Sequence, residues 1–184
     1  MSTVTAIVPG EVGFDQMEFN VVRWNELLED PELARIENRI ETDRFGQIIM
    51  SPLPAPSHGS YQSAIAIQLD RLMTGGRVIT ECPVSTSERV KGCDVAWISR
   101  ERFAPMAEAV CLTTAPEICV EVLSPRNSKG EIAEKVRLYF EAGAEEVWIC
   151  DRSGRITFHP GAPDKSSERS RLWLDFPGRI DLGS

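Results

Sequence analysis

The most constraining feature of the sequence is a strand, a helix and a second strand in the second half of the chain. Residues 117–124 (EICVEVLS) and 146–151 (EVWICD) are rich in β-branched and aromatic residues, which favours strands. Between them, Ser128 and Glu131 match a capping box, and apolar residues recur at helical spacing until Gly143. A connection of this length predicts a right-handed βαβ unit with two parallel, buried strands.

The preceding segment predicts another helix and two more strands. Apolar residues recur at helical spacing over residues 57–74, with Ser57 as the expected N-cap and a Gly-Gly pair as the stop. Residues 77–82 (RVITEC) and 94–99 (DVAWIS) predict strands, and residues 155–159 (RITFH) predict a hairpin partner for the last strand. The expected fold is α/β, with a central mixed β-sheet flanked by helices in the order αβββαβ.

The length predicts one core with two flanking segments. A chain of 184 residues with a mean hydropathy of -0.19 is typical of a single globular domain. We expect an N-terminal acidic helical arm over residues 1–38, with one or two short helices around residues 21–33, where Pro31 interrupts the amphipathic stretch, followed by a hairpin at 39–51. The core spans residues 39–160. The C-terminal tail, residues 161–184, is expected to pack on the core or on a dimer partner.

Composition excludes several classes of protein. No apolar run approaches the roughly 18 residues that cross a bilayer, so we expect a cytoplasmic protein with no membrane partner. The net charge of -8 argues against sequence-independent coating of nucleic acid, which needs a basic surface, but it permits a local basic cleft. The five cysteines lack zinc-ligand spacing, so we expect small buried hydrophobic residues.

Two acids occupy unusual positions in the predicted sheet. Asp94 opens one strand, and Glu121 lies late in the next, among apolar neighbours. If these strands are antiparallel neighbours, the two carboxylates meet at one edge of the sheet. Such a buried charge is costly unless it is paired or bound to a metal. Lys135 lies at the boundary of the next apolar helix stripe, so the three groups suit Mg²⁺ or Mn²⁺ and a lysine that steadies a water or a phosphate.

Taken alone, each of these residues has an ordinary structural explanation. An aspartate at a strand start commonly caps a turn, and Lys135 has Glu131 four residues before it as a salt-bridge partner. His58 could either cap its helix or approach the site from the helix N-terminus. The three residues indicate chemistry only in combination.

Four blocks of the chain together resemble a known family: GQIIMSP, CDVAWIS, PEICVEVLSP and EKVRLYFEAGAEEVWICD. They are similar to the Uma family, a bacterial group of restriction-endonuclease-like proteins in the PD-(D/E)XK nuclease superfamily. The resemblance runs from about Arg39 to His159, and Cys93 replaces the proline that usually precedes the aspartate. It implies a restriction-endonuclease-like core that hydrolyses phosphodiester bonds.

The resemblance also implies roles for individual residues. Asp94 and Glu121 lie at the positions of the metal-binding acids, and the backbone carbonyl of Val122 would be a further ligand. Lys135 lies where family members carry the superfamily lysine on the following helix, and it would orient or deprotonate the attacking water. Glu41 lies at the position of an additional N-terminal acid, which leaves it as either a ligand of a second ion or a solvated surface residue.

The leading hypothesis is therefore a Mg²⁺- or Mn²⁺-dependent endonuclease that acts on DNA as a homodimer. Its positive potential would come from a few bases, namely Arg89, Lys91, Lys129 and Arg137. A second hypothesis is a catalytically silent nuclease-fold module that binds or regulates, which the acidic charge supports. A third is a structural dimer subunit of a larger DNA-processing system, which would explain the apolar tail.

Overall fold

The computed structural model of the protein describes residues 14–36 and 38–183. The first thirteen residues of the predicted arm therefore lie outside the described residues. In chain order the elements are α1 (Gln16–Glu29), β1 (Arg39–Thr42), β2 (Ile48–Ser51), α2 (Pro56–Leu72), β3 (Gly76–Ser85), β4 (Val90–Ser99), α3 (Arg100–Phe103), β5 (Ile118–Val122), α4 (Lys129–Glu141), β6 (Glu146–Cys150) and β7 (Ile156–Pro160).

Five strands form the central sheet in the order β3-β4-β5-β6-β7. Strands β5 and β6 are parallel and α4 connects them, whereas every other pair of neighbours in this sheet is antiparallel. Strands β1 and β2 form a separate antiparallel hairpin. This arrangement confirms the predicted α/β class, including the parallel strand pair and the antiparallel neighbours that carry the two acids.

Helix α4 covers one face of the sheet. Its residues Val136 and Tyr139 pack against Cys119 and Val147 of the sheet, and we call this cluster the α4 layer. The helix begins with the predicted capping box, in which Ser128 and Glu131 satisfy each other's backbone N–H groups. The five cysteines are buried free thiols, as expected from their spacing, namely Cys82, Cys93, Cys111, Cys119 and Cys150.

Helix α2 covers the opposite face. Ile65 and Leu69 pack there against Trp148, and we call this cluster the α2 layer. Phe176 and Ile180 of the C-terminal segment are buried in the same layer, so this segment packs on the core of its own chain. Among the described residues, no helix has the length and apolar character needed to cross a membrane.

Several boundaries differ from the sequence-based expectation. Helix α2 begins at Pro56 after Ala55, so Ser57 is not its N-cap. A proline suits the first helical position because its fixed φ fits a helix and its missing N–H would be unpaired there anyway. Helix α1 begins earlier than expected, because the Asp15 side chain accepts hydrogen bonds from two backbone N–H groups of the first turn. Asp94 lies in the middle of β4 rather than at its start.

Strands β3 and β4 depart from regular pairing at Glu81 and Asp94, which are not partners in the ladder. Glu81 has a φ of 51°, in the left-handed region that residues with a side chain rarely adopt. Residues two apart in a regular strand share a face, yet Cys93 packs in the α4 layer and Val95 in the α2 layer. Because of this irregularity, the residues around Asp94 do not follow the regular alternation of side chains between the two faces of the sheet.

Candidate active site

Asp94 lies where β4 and β5 diverge. The ladder between these strands reaches Val95 and Val120 and does not continue to the next pair. Beyond that point the backbone N–H of Val122 donates to Oδ2 of Asp94 over 2.7 Å. The carboxylate of Asp94, a residue with only 1% of its surface exposed, thus replaces a backbone acceptor and bridges the gap between the strands.

Three side chains surround Asp94 on the side of α2 and the β1–β2 hairpin. Arg39 donates to Oδ1 over 2.6 Å, and Nε2 of His58 lies 3.3 Å from Oδ2. Gln62 donates to the backbone carbonyl of Asp94 over 2.8 Å. Burial by itself raises the pKa of Asp94, but the His58 hydrogen bond and the Arg39 guanidinium lower it to about 2. Asp94 is therefore an anion at neutral pH.

Glu121 points to the α4 side of the same sheet edge. Lys135 donates to Oε2 over 2.7 Å, and the hydroxyl of Tyr139 donates to Oε1 over 2.7 Å. Burial raises the pKa of Glu121 and the charge of Asp94 adds to the rise, while the Lys135 ammonium opposes it. Burial disfavours the charge on Lys135, yet Glu121 and Glu41 together raise the pKa of this amine. The amine therefore stays protonated between two carboxylates.

The β1–β2 hairpin covers the site and contacts β4 there. Arg39 and Glu41 are two apart on β1 and share a face, from which both reach the backbone of Gly92. Arg39 donates to the Gly92 carbonyl, and the Gly92 N–H donates to Glu41 over 3.2 Å. A Cβ atom at Gly92 would lie 2.9 Å from the Arg39 guanidinium, so a side chain here would displace Arg39 from its present position. Glu41 also binds Lys91 at 3.0 Å and lies 3.6 Å from Lys135.

The structure brings four of the predicted site residues together, because Lys135 links Glu121 to Glu41 and Arg39 links Asp94 to the same hairpin. The described residues contain no group of three or more His, Cys, Asp or Glu side chains placed to hold a metal ion. Both central carboxylates are paired with cations instead. The site is a buried network of alternating acids and bases.

The predicted nucleic-acid-binding bases have different environments. Arg89 pairs with Glu88 and Glu134, and Arg137 pairs with Glu88 and Glu141. Lys91 is buried against Glu41. Lys129 is exposed at the first turn of α4 and has no ion pair among the described residues. Three of the four bases thus already have a carboxylate partner, so their charge is locally neutralised.

The sequence pattern did not indicate four residues of the network: Arg39, Gln62, Glu81 and Tyr139. Arg39 could have been found because it is two residues before Glu41 on the same strand, and Tyr139 because it is one helical turn after Lys135. Glu81 forms an ion pair with Arg39 at 3.1 Å and accepts a hydrogen bond from Gln62, which ties it to Asp94 indirectly. His58 approaches the site, which was one of its two expected roles.

Comparisons with known proteins agree with this fold. A family model described as "Uma2: Putative restriction endonuclease" matches residues 24–171. Five chains of solved structures also match. One is the crystal structure of a putative nuclease belonging to DUF820 from Anabaena variabilis ATCC 29413, with a TM-score of 0.61 and 18% identity over 78% of this chain and 82% of that chain. No curated protein gives a significant match.

Proposed function

The chain belongs to the Uma2 family, described as a putative restriction endonuclease, and from this premise we propose that it is a divalent-metal-dependent endonuclease that hydrolyses DNA. Family membership supports the nuclease activity, while the metal and the DNA substrate are our extension. One observation carries the proposal: Asp94 and Glu121 are buried at the diverging edges of β4 and β5, with a lysine amine beside them.

The donor atoms fit a hard divalent cation. Mg²⁺ in proteins commonly takes one or two carboxylates and keeps several waters, so a cluster of three acids is not required. The N–H and C=O groups of one strand residue point to the same side, and the Val122 N–H is bonded to Asp94. Asp94, Glu121 and the Val122 carbonyl would therefore hold Mg²⁺ or Mn²⁺. When bound, the ion would supply Lewis acidity and a more acidic water.

Lys135 supplies positive charge next to these ligands. Its amine is held between Glu121 and Glu41, and its raised pKa keeps it protonated. A protonated amine cannot accept a proton from water. We therefore assign Lys135 to orienting the water and offsetting the charge that develops on the phosphate, rather than to deprotonation.

Glu41 acts on the site through its neighbours. It accepts from Lys91 and from the Gly92 N–H, and it lies beside Lys135. This arrangement supports a role in positioning Lys135 more than a role as ligand of a second ion.

A catalytically silent binding module remains the second candidate, because one observation favours it. The carboxylates of Asp94 and Glu121 are already neutralised by Arg39 and Lys135. A metal ion would have to compete with both cations. The homodimer and the cytoplasmic location remain predictions, and light scattering of the purified protein would measure the former.

The test is cleavage of supercoiled plasmid DNA with Mg²⁺ or Mn²⁺ by the wild type and by Asp94→Asn. The substitution keeps the shape and an oxygen that can accept from the Val122 N–H. Asp70→Asn is the matched control, since it makes the same change at an exposed aspartate near the C-terminal end of α2, two helical turns beyond Gln62. We expect cleavage by the wild type and the control, and none by Asp94→Asn. Equal cleavage by Asp94→Asn would contradict the site, and metal binding without cleavage would support the silent module.

A further inference from the structure

A cavity lies at the same end of the sheet as the candidate active site. Val122 of β5 is in register with Cys150 of β6, which is in register with Ile156 of β7. A cavity of about 590 Å³ opens next to Ile156, between β7 and the C-terminal segment. Neighbouring strands are about 4.8 Å apart, so this cavity is roughly 10–15 Å from the gap that holds Asp94.

Two arginines line this cavity and face each other across a strand pair. Arg155 and Arg179 are directly opposite each other in an antiparallel bridge, and backbone hydrogen bonds flank the pair on both sides. Like charges placed opposite each other across a strand pair are destabilising. Neither guanidinium forms an ion pair within residues 14–36 and 38–183, although Glu168 lines the same cavity. The two positive charges therefore face each other with only the carboxylates of Asp151 and Glu168 in the neighbourhood, and neither of these forms a direct ion pair with them among the described residues.

The rest of the cavity supplies hydrogen-bond donors. Hydroxyl groups of Thr157, Ser166 and Ser167 line it together with the two arginines. The Arg179 guanidinium is held in place because it donates to the Ser153 carbonyl over 3.2 and 3.0 Å. Arginine forks and hydroxyl groups are typical ligands of a phosphate.

The local charge differs from that of the whole chain. Residues 152–184 carry six basic and four acidic residues, whereas the whole chain has a net charge of -8. All six bases of this segment are exposed. With six bases against four acids this segment is net positive, so it attracts a polyanion more than the acidic remainder of the chain does.

We propose that this cavity binds a backbone phosphate of the nucleic acid, through Arg155 and Arg179, while another phosphate lies at the Asp94 site. The inference rests on the proposed function. At a rise of 3.4 Å per nucleotide, the separation corresponds to about three to four nucleotides along one strand. The cavity would thus set the direction in which the strand crosses the sheet edge.

The test measures duplex binding without cleavage. Fluorescence anisotropy of a labelled DNA duplex is recorded in EDTA over a series of salt concentrations. The proteins are the wild type, Arg155→Gln, the double variant Arg155→Gln/Arg179→Gln and the control Arg71→Gln/Arg100→Gln. The control removes the same two charges from exposed arginines at the opposite end of the sheet.

The slope of log K against log salt is negative, and each lost phosphate contact reduces its magnitude by about 0.9. We expect a decrease of about one for Arg155→Gln and about two for the double variant, with no decrease for the control. Arg155→Gln keeps the Arg179 contact to Ser153, so it stays interpretable if the double variant unfolds. Slopes equal to that of the wild type, or an equal decrease in the control, would overturn the inference.

A second arm separates the two sources of phosphate. Inorganic phosphate is added to the wild type and to Arg155→Gln, and thermal unfolding is followed. Protection of the wild type alone, combined with unchanged duplex binding by the variants, would assign the cavity to a small phosphate compound and overturn the backbone assignment. Absence of any duplex binding by the wild type would overturn it too. Failure of the nuclease proposal would be seen separately, because the wild type would then not cleave plasmid DNA in the presence of Mg²⁺ or Mn²⁺.

Discussion

Two buried glutamates in the parallel strand pair have opposite surroundings. Glu146 on β6 accepts four hydrogen bonds from neutral donors, namely the Trp148 indole, the Ser170 hydroxyl and the backbone N–H groups of Arg171 and Leu172. Glu121 on β5 instead receives a lysine amine and a tyrosine hydroxyl. Both residues are at most 3% exposed.

The difference shows which buried acid is available for chemistry. The donors of Glu146 are fixed dipoles, three of them from the C-terminal segment, so this carboxylate ties that segment to the sheet. The main partner of Glu121 is the ammonium group of Lys135, whose place another cation could take. A buried charge in a strand therefore marks an unusual residue, but burial alone does not show whether that residue is structural or chemical. The type of hydrogen-bond donor that surrounds the carboxylate distinguishes the two roles.

The largest expected effect is on stability. Glu146→Gln turns one acceptor into a donor that faces other donors, so we expect a loss of about 3 kcal/mol or more in the free energy of unfolding. Glu121→Gln should cost only about 1 kcal/mol, because Lys135 keeps Glu41 and the repulsion from Asp94 is removed. Urea denaturation measures both values. The reverse order would break the comparison.

The next effect is on the rate of cleavage. Lys135→Gln should lower the rate about 10²- to 10³-fold, because a positive charge near the reacting phosphate is lost. Affinity for Mn²⁺ should not fall, since the amine competes with the ion for Glu121. Single-turnover cleavage and calorimetry measure the two quantities. A fall in Mn²⁺ affinity would make Lys135 a structural residue.

Cysteine reactivity sharpens the same comparison. Burial raises the pKa of Cys111 to about 11, and burial next to Asp151 raises the pKa of Cys150 to about 12. At pH 8 both thiols should react with iodoacetamide at least about 100-fold more slowly than an unperturbed thiol, and the rate should rise with pH. Cys150 packs with the C-terminal segment in the α2 layer. Glu146→Gln should accelerate its alkylation and Glu121→Gln should not, which mass spectrometry would follow.

The smallest effect concerns Arg39, which competes for Oδ1 of Asp94. Arg39→Gln removes that competitor and leaves the site more negative. We expect Mn²⁺ affinity to rise by about tenfold, equivalent to about 1.4 kcal/mol. Weaker binding would show that Arg39 holds Asp94 in position for the metal rather than competing with it.

Local signals explain what the sequence predicted well. The capping box at Ser128, the stop at Gly143 and the apolar strands on either side are all encoded within a few residues, and the β5–α4–β6 unit has them as expected. The same signals did not distinguish Glu146 from the apolar residues that follow it. Three of its four donors come from the C-terminal segment, 24 to 26 residues away.

Tertiary contacts explain what the sequence did not predict. Arg39 reaches Asp94 across 55 residues of chain, and only the position of the β1–β2 hairpin reveals it. The ion pairs of Arg89 with Glu134 and of Arg137 with Glu88 depend in the same way on helix α4 lying beside the β3–β4 turn. The irregular backbone at Glu81 displaces Asp94 from the regular pleat. The sequence does not indicate it, because this position holds a glutamate rather than a glycine or asparagine.

The central claim is that Asp94 and Glu121 hold a divalent cation. Its most direct test is calorimetric titration of Mn²⁺ into the wild type, Asp94→Asn, Glu121→Gln and the control Glu146→Gln, each checked for folding beforehand. The account predicts stoichiometric binding by the wild type and Glu146→Gln, and loss of binding in Asp94→Asn and Glu121→Gln. Binding of Mn²⁺ by Asp94→Asn with the affinity of the wild type would contradict it.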